Sequence, residues 1–109
     1  MTAHLFLNAP KALLYIDPYS NKILEYNQKA AVLFEGGVSL TKRPQLTLTT
    51  ATQLFSGCLD KLIHFTQQIL EKGEAWSNDL FISMNEDKVY LDISASLIDD
   101  KLLFCCESA

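Results

Sequence analysis

Residues Ala12 to Phe34, ALLYIDPYSNKILEYNQKAAVLF, constrain the fold more tightly than any other stretch of this chain. Leu13 to Ile16 is an apolar run of strand length, suited to a buried strand. Asp17-Pro18-Tyr19-Ser20-Asn21 then supplies turn chemistry: Asp accepts local backbone hydrogen bonds, Pro presets φ and Asn tolerates positive φ. Ile23-Leu24-Glu25-Tyr26 returns as a second strand, so the pair reads as a hairpin. Asn27 is a good N-cap for a helix whose apolar side is Ala30, Ala31, Leu33 and Phe34, and Gly36-Gly37 stops it.

After the glycines the pattern degrades. Five Thr and one Pro between Val38 and Thr52 argue against a long helix, so Val38 to Thr49 reads as irregular. Thr50-Ala51-Thr52-Gln53 fits a capping box, with about one helical turn expected over Thr52 to Phe55. Leu59 to Glu71 is the clearest helix. Leu59, Leu62, Ile63, Thr66, Ile69 and Leu70 form one stripe, Asp60, Lys61, His64, Gln68 and Glu71 fall opposite, and Gly73 ends it.

From Ala75 the period changes to two. Trp76, Asn78, Leu80 and Ile82 are expected on one strand face, with Ala75, Ser77, Asp79 and Phe81 on the other. Asn85-Glu86-Asp87 reads as a turn. Val89, Leu91, Ile93, Ala95 and Leu97 then alternate with polar residues, the mark of a half-buried antiparallel strand. Asp99-Asp100-Lys101 turns the chain into a last strand, Leu102 to Cys106, with little polar relief and so a central place in the sheet. Strands are expected over Leu13–Asp17, Lys22–Tyr26, Ala75–Ser83, Lys88–Leu97 and Lys101–Cys106. The class is α+β: a five-stranded antiparallel sheet with its helices packed on one face.

Bulk properties narrow the function. One hundred and nine residues suffice for a single core. Two segments are expected, a lead-in over 1–11 and one domain over 12–109. Nine Lys and Arg against thirteen Asp and Glu leave a net charge of −4 without a basic cluster, which argues against direct nucleic-acid binding. No apolar run approaches the ~20 residues a spanning helix needs, and the start of the chain lacks a signal-peptide pattern, so a cytoplasmic location off the membrane is expected. Cys58, Cys105 and Cys106 have no metal or disulfide-framework spacing and read as reduced, packed thiols.

The element order resembles that of PAS domains, small sensory modules, over nearly the whole chain from Leu5 to Glu107. The wording is carried by Asn8-Ala9-Pro10 before Ala12-Leu13-Leu14-Tyr15-Ile16-Asp17, by Ile23-Leu24-Glu25-Tyr26-Asn27 with Ala30, Ala31, Leu33 and Phe34, and by Leu70-Glu71-Lys72-Gly73-Glu74 at the corner before the long hairpin. The family's Gly-hydrophobic-x-x-Glu-Glu-Leu-Ile-Gly stretch after the first helix is missing, and Glu35-Gly36-Gly37 and the Thr-rich segment stand in its place. The Asp-Ile-Thr ending that often leads to an effector is also missing, which leaves a domain cut from a longer signalling protein or a solitary one.

The resemblance implies a cytoplasmic module of a bacterial histidine kinase, cyclic-dinucleotide enzyme or transcriptional regulator, which binds a small ligand in an apolar pocket and biases dimer or linker geometry. A ligand-free dimerisation or interaction module is the alternative. Pocket candidates are Phe34, Leu62, Thr66, Trp76 and Asn78, and Trp76 could equally be sheet-face packing. A homodimer is expected, with Leu5 and Phe6 of the lead-in at its interface, and the effector domain of the same polypeptide or a signalling protein is the expected partner.

No cofactor is expected. The flavin photoadduct motif Gly-x-Asn-Cys-Arg-Phe-Leu-Gln is absent, and Ser56-Gly57-Cys58-Leu59 does not substitute for it. Haem-binding relatives use a His on the long helix, but His64 sits opposite the apolar stripe, whereas an axial ligand must face the pocket. The paired carboxylates Asp99-Asp100 and Glu86-Asp87 fall in turns, and no nucleophile–His arrangement is formed, so enzyme activity is not expected.

Overall fold

The structure, a computed structural model, describes residues 11–35, 50–84 and 87–108. Its elements in chain order are β1 (Ala12–Ile16), β2 (Ile23–Tyr26), α1 (Gln28–Glu35), α2 (Ala51–Leu54), a 3-10 turn (Ser56–Cys58), α3 (Leu59–Lys72), β3 (Glu74–Met84), β4 (Asp87–Ile98) and β5 (Lys101–Ser108). The five strands form one antiparallel sheet in the order β2-β1-β5-β4-β3. The last strand is central, between β1 and β4, as its unbroken apolar run implies. The irregular reading of Val38–Thr49, the Asn85-Glu86 part of the expected turn, and Leu5 and Phe6 lie outside the described residues.

Local chemistry explains the element ends. Asp17 accepts the Tyr19 N–H at 3.0 Å, Asn21 takes φ 61°, and the chain reverses into β2. Thr50 and Gln53 form the expected capping box at the start of α2. Gly73, at φ 83°, donates its N–H to Ile69 O at 2.7 Å and closes α3. Asp99 and Asp100 both have positive φ, the conformation a two-residue hairpin turn between β4 and β5 requires.

Asn27 does more than cap. Its Oδ1 accepts from Ala30 N–H and from Leu13 N–H, each at 2.9 Å, while its Nδ2 donates to Lys11 O at 2.7 Å. One buried amide thereby binds the start of α1 to β1. The core lies between helices and sheet. Leu14, Ile16, Leu91, Ile93, Leu102 and Phe104 from the strands meet Phe55, Leu62, Phe65 and Ile69.

Two sequence expectations are corrected. The buried side of α3 is Leu62, Phe65 and Ile69, whereas Leu59, Ile63 and Leu70 are exposed. The helix is rotated so that Phe65 enters the core, where it packs edge-on against Phe104 with centroids 5.5 Å apart. In β3, Trp76 does not share a face with Leu80 and Ile82. The register pairs Ala75 with Ala95 and Ser77 with Ile93, shifts between Ser77 and Leu80, and then pairs Leu80 with Leu91. The extra residue of this bulge transfers the inward side from odd to even positions. Trp76, opposite Ser94, is consequently left on the outer side and is 62% exposed.

Candidate functional site

The residues expected to line a pocket separate into two groups. Leu62 is buried in the core, Phe34 is half-buried with its ring edge-on to Phe55 at 6.3 Å, and Thr66 is half-buried on α3. Trp76 and Asn78 instead are exposed on β3, before and within its bulge. Among the described residues, none of the three recesses below collects all five.

Trp76 and Asn78 belong to a surface trench between α3 and β3. One recess of about 590 Å³ is lined by Gln68, Lys72, Glu74, Trp76, Ser94 and Ser96, with Ala75 and Ala95. The next, of about 440 Å³, is lined by Lys61, His64, Gln68, Trp76, Asn78 and Asp79, among others. The two share Gln68 and Trp76. Lys61, His64, Gln68 and Lys72 recur on one flank of α3, the residues that a reading for apolar stripes sets aside as solvated. Their helical spacing was the available signal.

Electrostatics in the trench are local. The Ser77 hydroxyl donates to Asp79 at 2.7 Å and Lys61 approaches the same carboxylate at 3.8 Å, so Asp79 is held below the ordinary carboxylate range. His64 lies 3.4 Å from Gln68 and is exposed, away from the core. Its position does not suit an axial ligand facing an apolar pocket. Among the described residues, no three His, Cys, Asp or Glu side chains come together as metal ligands.

The far end of the β3 edge is closed by a thiol. Cys58 donates S–H to Phe81 O at 3.4 Å, and the Phe81 N–H reaches the same sulfur at 3.5 Å. Gly57 allows this approach, because a Cβ there would stand 2.7 Å from the Phe81 ring. Lys88 lies over that ring, 4.8 Å from its centroid. The sequence reading missed this contact, although Cys58 lies one helical turn before Leu62 on the buried side.

On the sheet face opposite the described helices, Leu13 pairs with Cys105 and Tyr15 with Leu103, giving a half-buried apolar strip. Tyr15 donates its hydroxyl to Ile98 O at 3.2 Å, and burial, followed by the charges of Asp99 and Glu25, raises its pKa. Burial also raises the Cys105 thiol, and raises that of fully enclosed Cys106 much further. The two adjacent cysteines point to opposite faces. Ala12 pairs with Cys106, so the start of β1 and the end of β5 lie side by side. A third recess, about 460 Å³ and lined by Lys11, Lys29, Leu33 and Ser108 among others, opens at this end.

No protein-family model matches the sequence, and no curated protein does. Solved structures do. The PAS domain of nitrogen regulation protein NR(II) from Vibrio parahaemolyticus is 17% identical, with a TM-score of 0.73 over 100% of both chains. A domain of a sensory box sensor histidine kinase/response regulator from Geobacter sulfurreducens is 16% identical, with a TM-score of 0.73 over 96% of this chain and 89% of that one. The PAS domain of a LuxR-family transcriptional regulator from Burkholderia thailandensis, solved in complex with ethanol, is 13% identical, with a TM-score of 0.76 over 99% and 96%. The chain has the PAS fold across nearly its whole length.

Proposed function

We propose that the chain is a sensory module of a bacterial signalling protein, acting by binding and geometry and not by catalysis. The observation that carries this reading is the PAS fold combined with the pairing of its first and last strands: β1 and β5 are in register from Ala12–Cys106 to Ile16–Leu102. A small shift between these strands would reach both flanking segments at once. Strand displacement is thus a route from core occupancy to an effector domain of the same polypeptide.

The ligand would be a small, largely apolar molecule held among the helices covering the sheet, near Phe34, Leu62 and Thr66. Apolar walls with few polar groups suit such a molecule, and Thr66 supplies a hydroxyl. That the Burkholderia thailandensis PAS domain was solved in complex with ethanol supports a small organic ligand. Trp76 and Asn78 take no part in this pocket. Neither haem nor flavin is part of the proposal, because His64 projects away from the core and the photoadduct motif is absent.

The working unit would be a cytoplasmic homodimer. Leu5 and Phe6 of the lead-in, with the Leu13, Tyr15, Leu103 and Cys105 strip, would form its apolar contact. A twofold interface uses one patch twice, so a modest cluster is doubled. Thermal unfolding with a series of small alcohols and ketones tests the ligand reading. A rise in midpoint that Thr66→Phe abolishes supports it, provided the variant folds. No rise with any member of the series favours the ligand-free interaction module.

A further inference from the structure

We propose that the outer edge of β3 docks an extended peptide segment of a partner protein, which adds to the sheet as a sixth strand with an apolar side chain seated on Trp76. β3 ends the sheet, so among the described residues one of its edges has no neighbouring strand. Leu97 N–H donates to Gly73 O at 2.8 Å, which fixes the hydrogen-bond alternation along β3 and β4. Glu74–Ser96 and Trp76–Ser94 are therefore the pairs that exchange no backbone hydrogen bonds. The N–H and C=O of Glu74 and Trp76 point off the sheet, at the two-residue spacing an added strand meets.

Free edges in proteins are usually blunted by a bulge, a charge or a cover. The far half of this edge is blunted in that way, by the bulge after Ser77 and by Cys58, which occupies the outward N–H and C=O of Phe81. No comparable plug meets Glu74 or Trp76 among the described residues. Beside this open half run the two recesses that share Gln68 and Trp76. Glu74 to Ser77, the part before the bulge, spans roughly 10 Å at strand rise, room for a strand of about three or four residues. Trp76, 62% exposed at the centre, is of the residue type that most often anchors interfaces.

The unmet groups are alternating backbone donors and acceptors, and these call for a polypeptide more than for a small molecule. A second copy fits poorly. Antiparallel pairing of two such edges about Ala75 would set the Glu74 carboxylate beside the partner's Trp76, against the negative face of the indole.

The test is selection of random seven-residue peptides displayed on phage against the full chain, followed by titration of an enriched peptide. Trp76 is the single tryptophan, so its fluorescence reports contact directly. The expected results are a shifted emission and at least tenfold slower amide exchange at Glu74 and Trp76. Trp76→Ala should weaken binding of the labelled peptide at least tenfold. Trp76→Pro also deletes an outward N–H without touching the ladder, and should weaken it further while circular dichroism stays that of the folded chain. Failure to enrich any peptide overturns the proposal. So does a peptide that protects other amides or ignores Trp76→Pro, and so does protection of these amides in a β3–β3 dimer.

Discussion

Asn27 is 1% exposed and its side chain makes three hydrogen bonds, two of them accepted from backbone N–H groups with no other described partner. Replacing it with Ala removes a helix cap and strands Leu13 N–H beside the core. The expected loss is about 2–4 kcal/mol, combining a cap with a buried unmet donor. Urea unfolding of Asn27→Ala checks it, and a loss near zero would show that water replaces the amide. At Asp17, the Tyr19 N–H, followed by the Ser20 hydroxyl, lowers the carboxylate pKa below 3.8 despite some opposing desolvation. A depressed folded pKa contributes stability that is present above the unfolded value and lost as pH falls through the folded one. Acid unfolding should therefore steepen below about pH 4. Asp17→Asn, which keeps an acceptor but cannot titrate, should flatten that limb. An unchanged acid limb would remove Asp17 from the account.

Helix and strand ends obey the same local chemistry, which is why they were legible in the sequence. Gly73, Thr50-Gln53 and Asp99-Asp100 mark their boundaries by backbone conformation or capping alone. Gly73→Ala must place a Cβ at φ 83° and should cost about 1–2 kcal/mol in thermal or urea unfolding. A neutral result would mean the corner relaxes. The faces of the elements were less legible. Leu59, Ile63 and Leu70 are as apolar as Leu62, Phe65 and Ile69, so hydropathy alone could not choose the rotation of α3. The choice is made across the sheet, by the fit of Phe65 against Phe104. The bulge after Ser77 leaves no local signature, yet it moved Trp76 and Asn78 out of the expected pocket and opened the trench. Cys58 likewise gains its role only when the 3-10 turn meets Phe81. Cys58→Ala should lower stability more than Cys58→Ser, because the hydroxyl can still bond the edge at Phe81. Equal losses in urea unfolding would make the thiol mere filling.

On the scale of the molecule, one amide binds α1 to β1, one thiol closes part of the β3 edge, and the pairing of β1 with β5 sets the first strand beside the last. A sensory module with these parts should be colourless, since His64 lies outside the core. A Soret band lost in His64→Ala would overturn that expectation. The chain should sediment as a dimer at tens of micromolar and as a monomer once Thr2–Leu7 are removed. Two monomers would restrict the lead-in to covering its own sheet. The proposed sensory role requires a small molecule on the helix-covered face of the sheet. Native mass measurement of the freshly purified chain beside its denatured mass tests this most directly. The expected result is a folded species heavier by one small organic molecule, released on denaturation. Identical folded and denatured masses, unchanged after incubation with small alcohols and ketones, would contradict it.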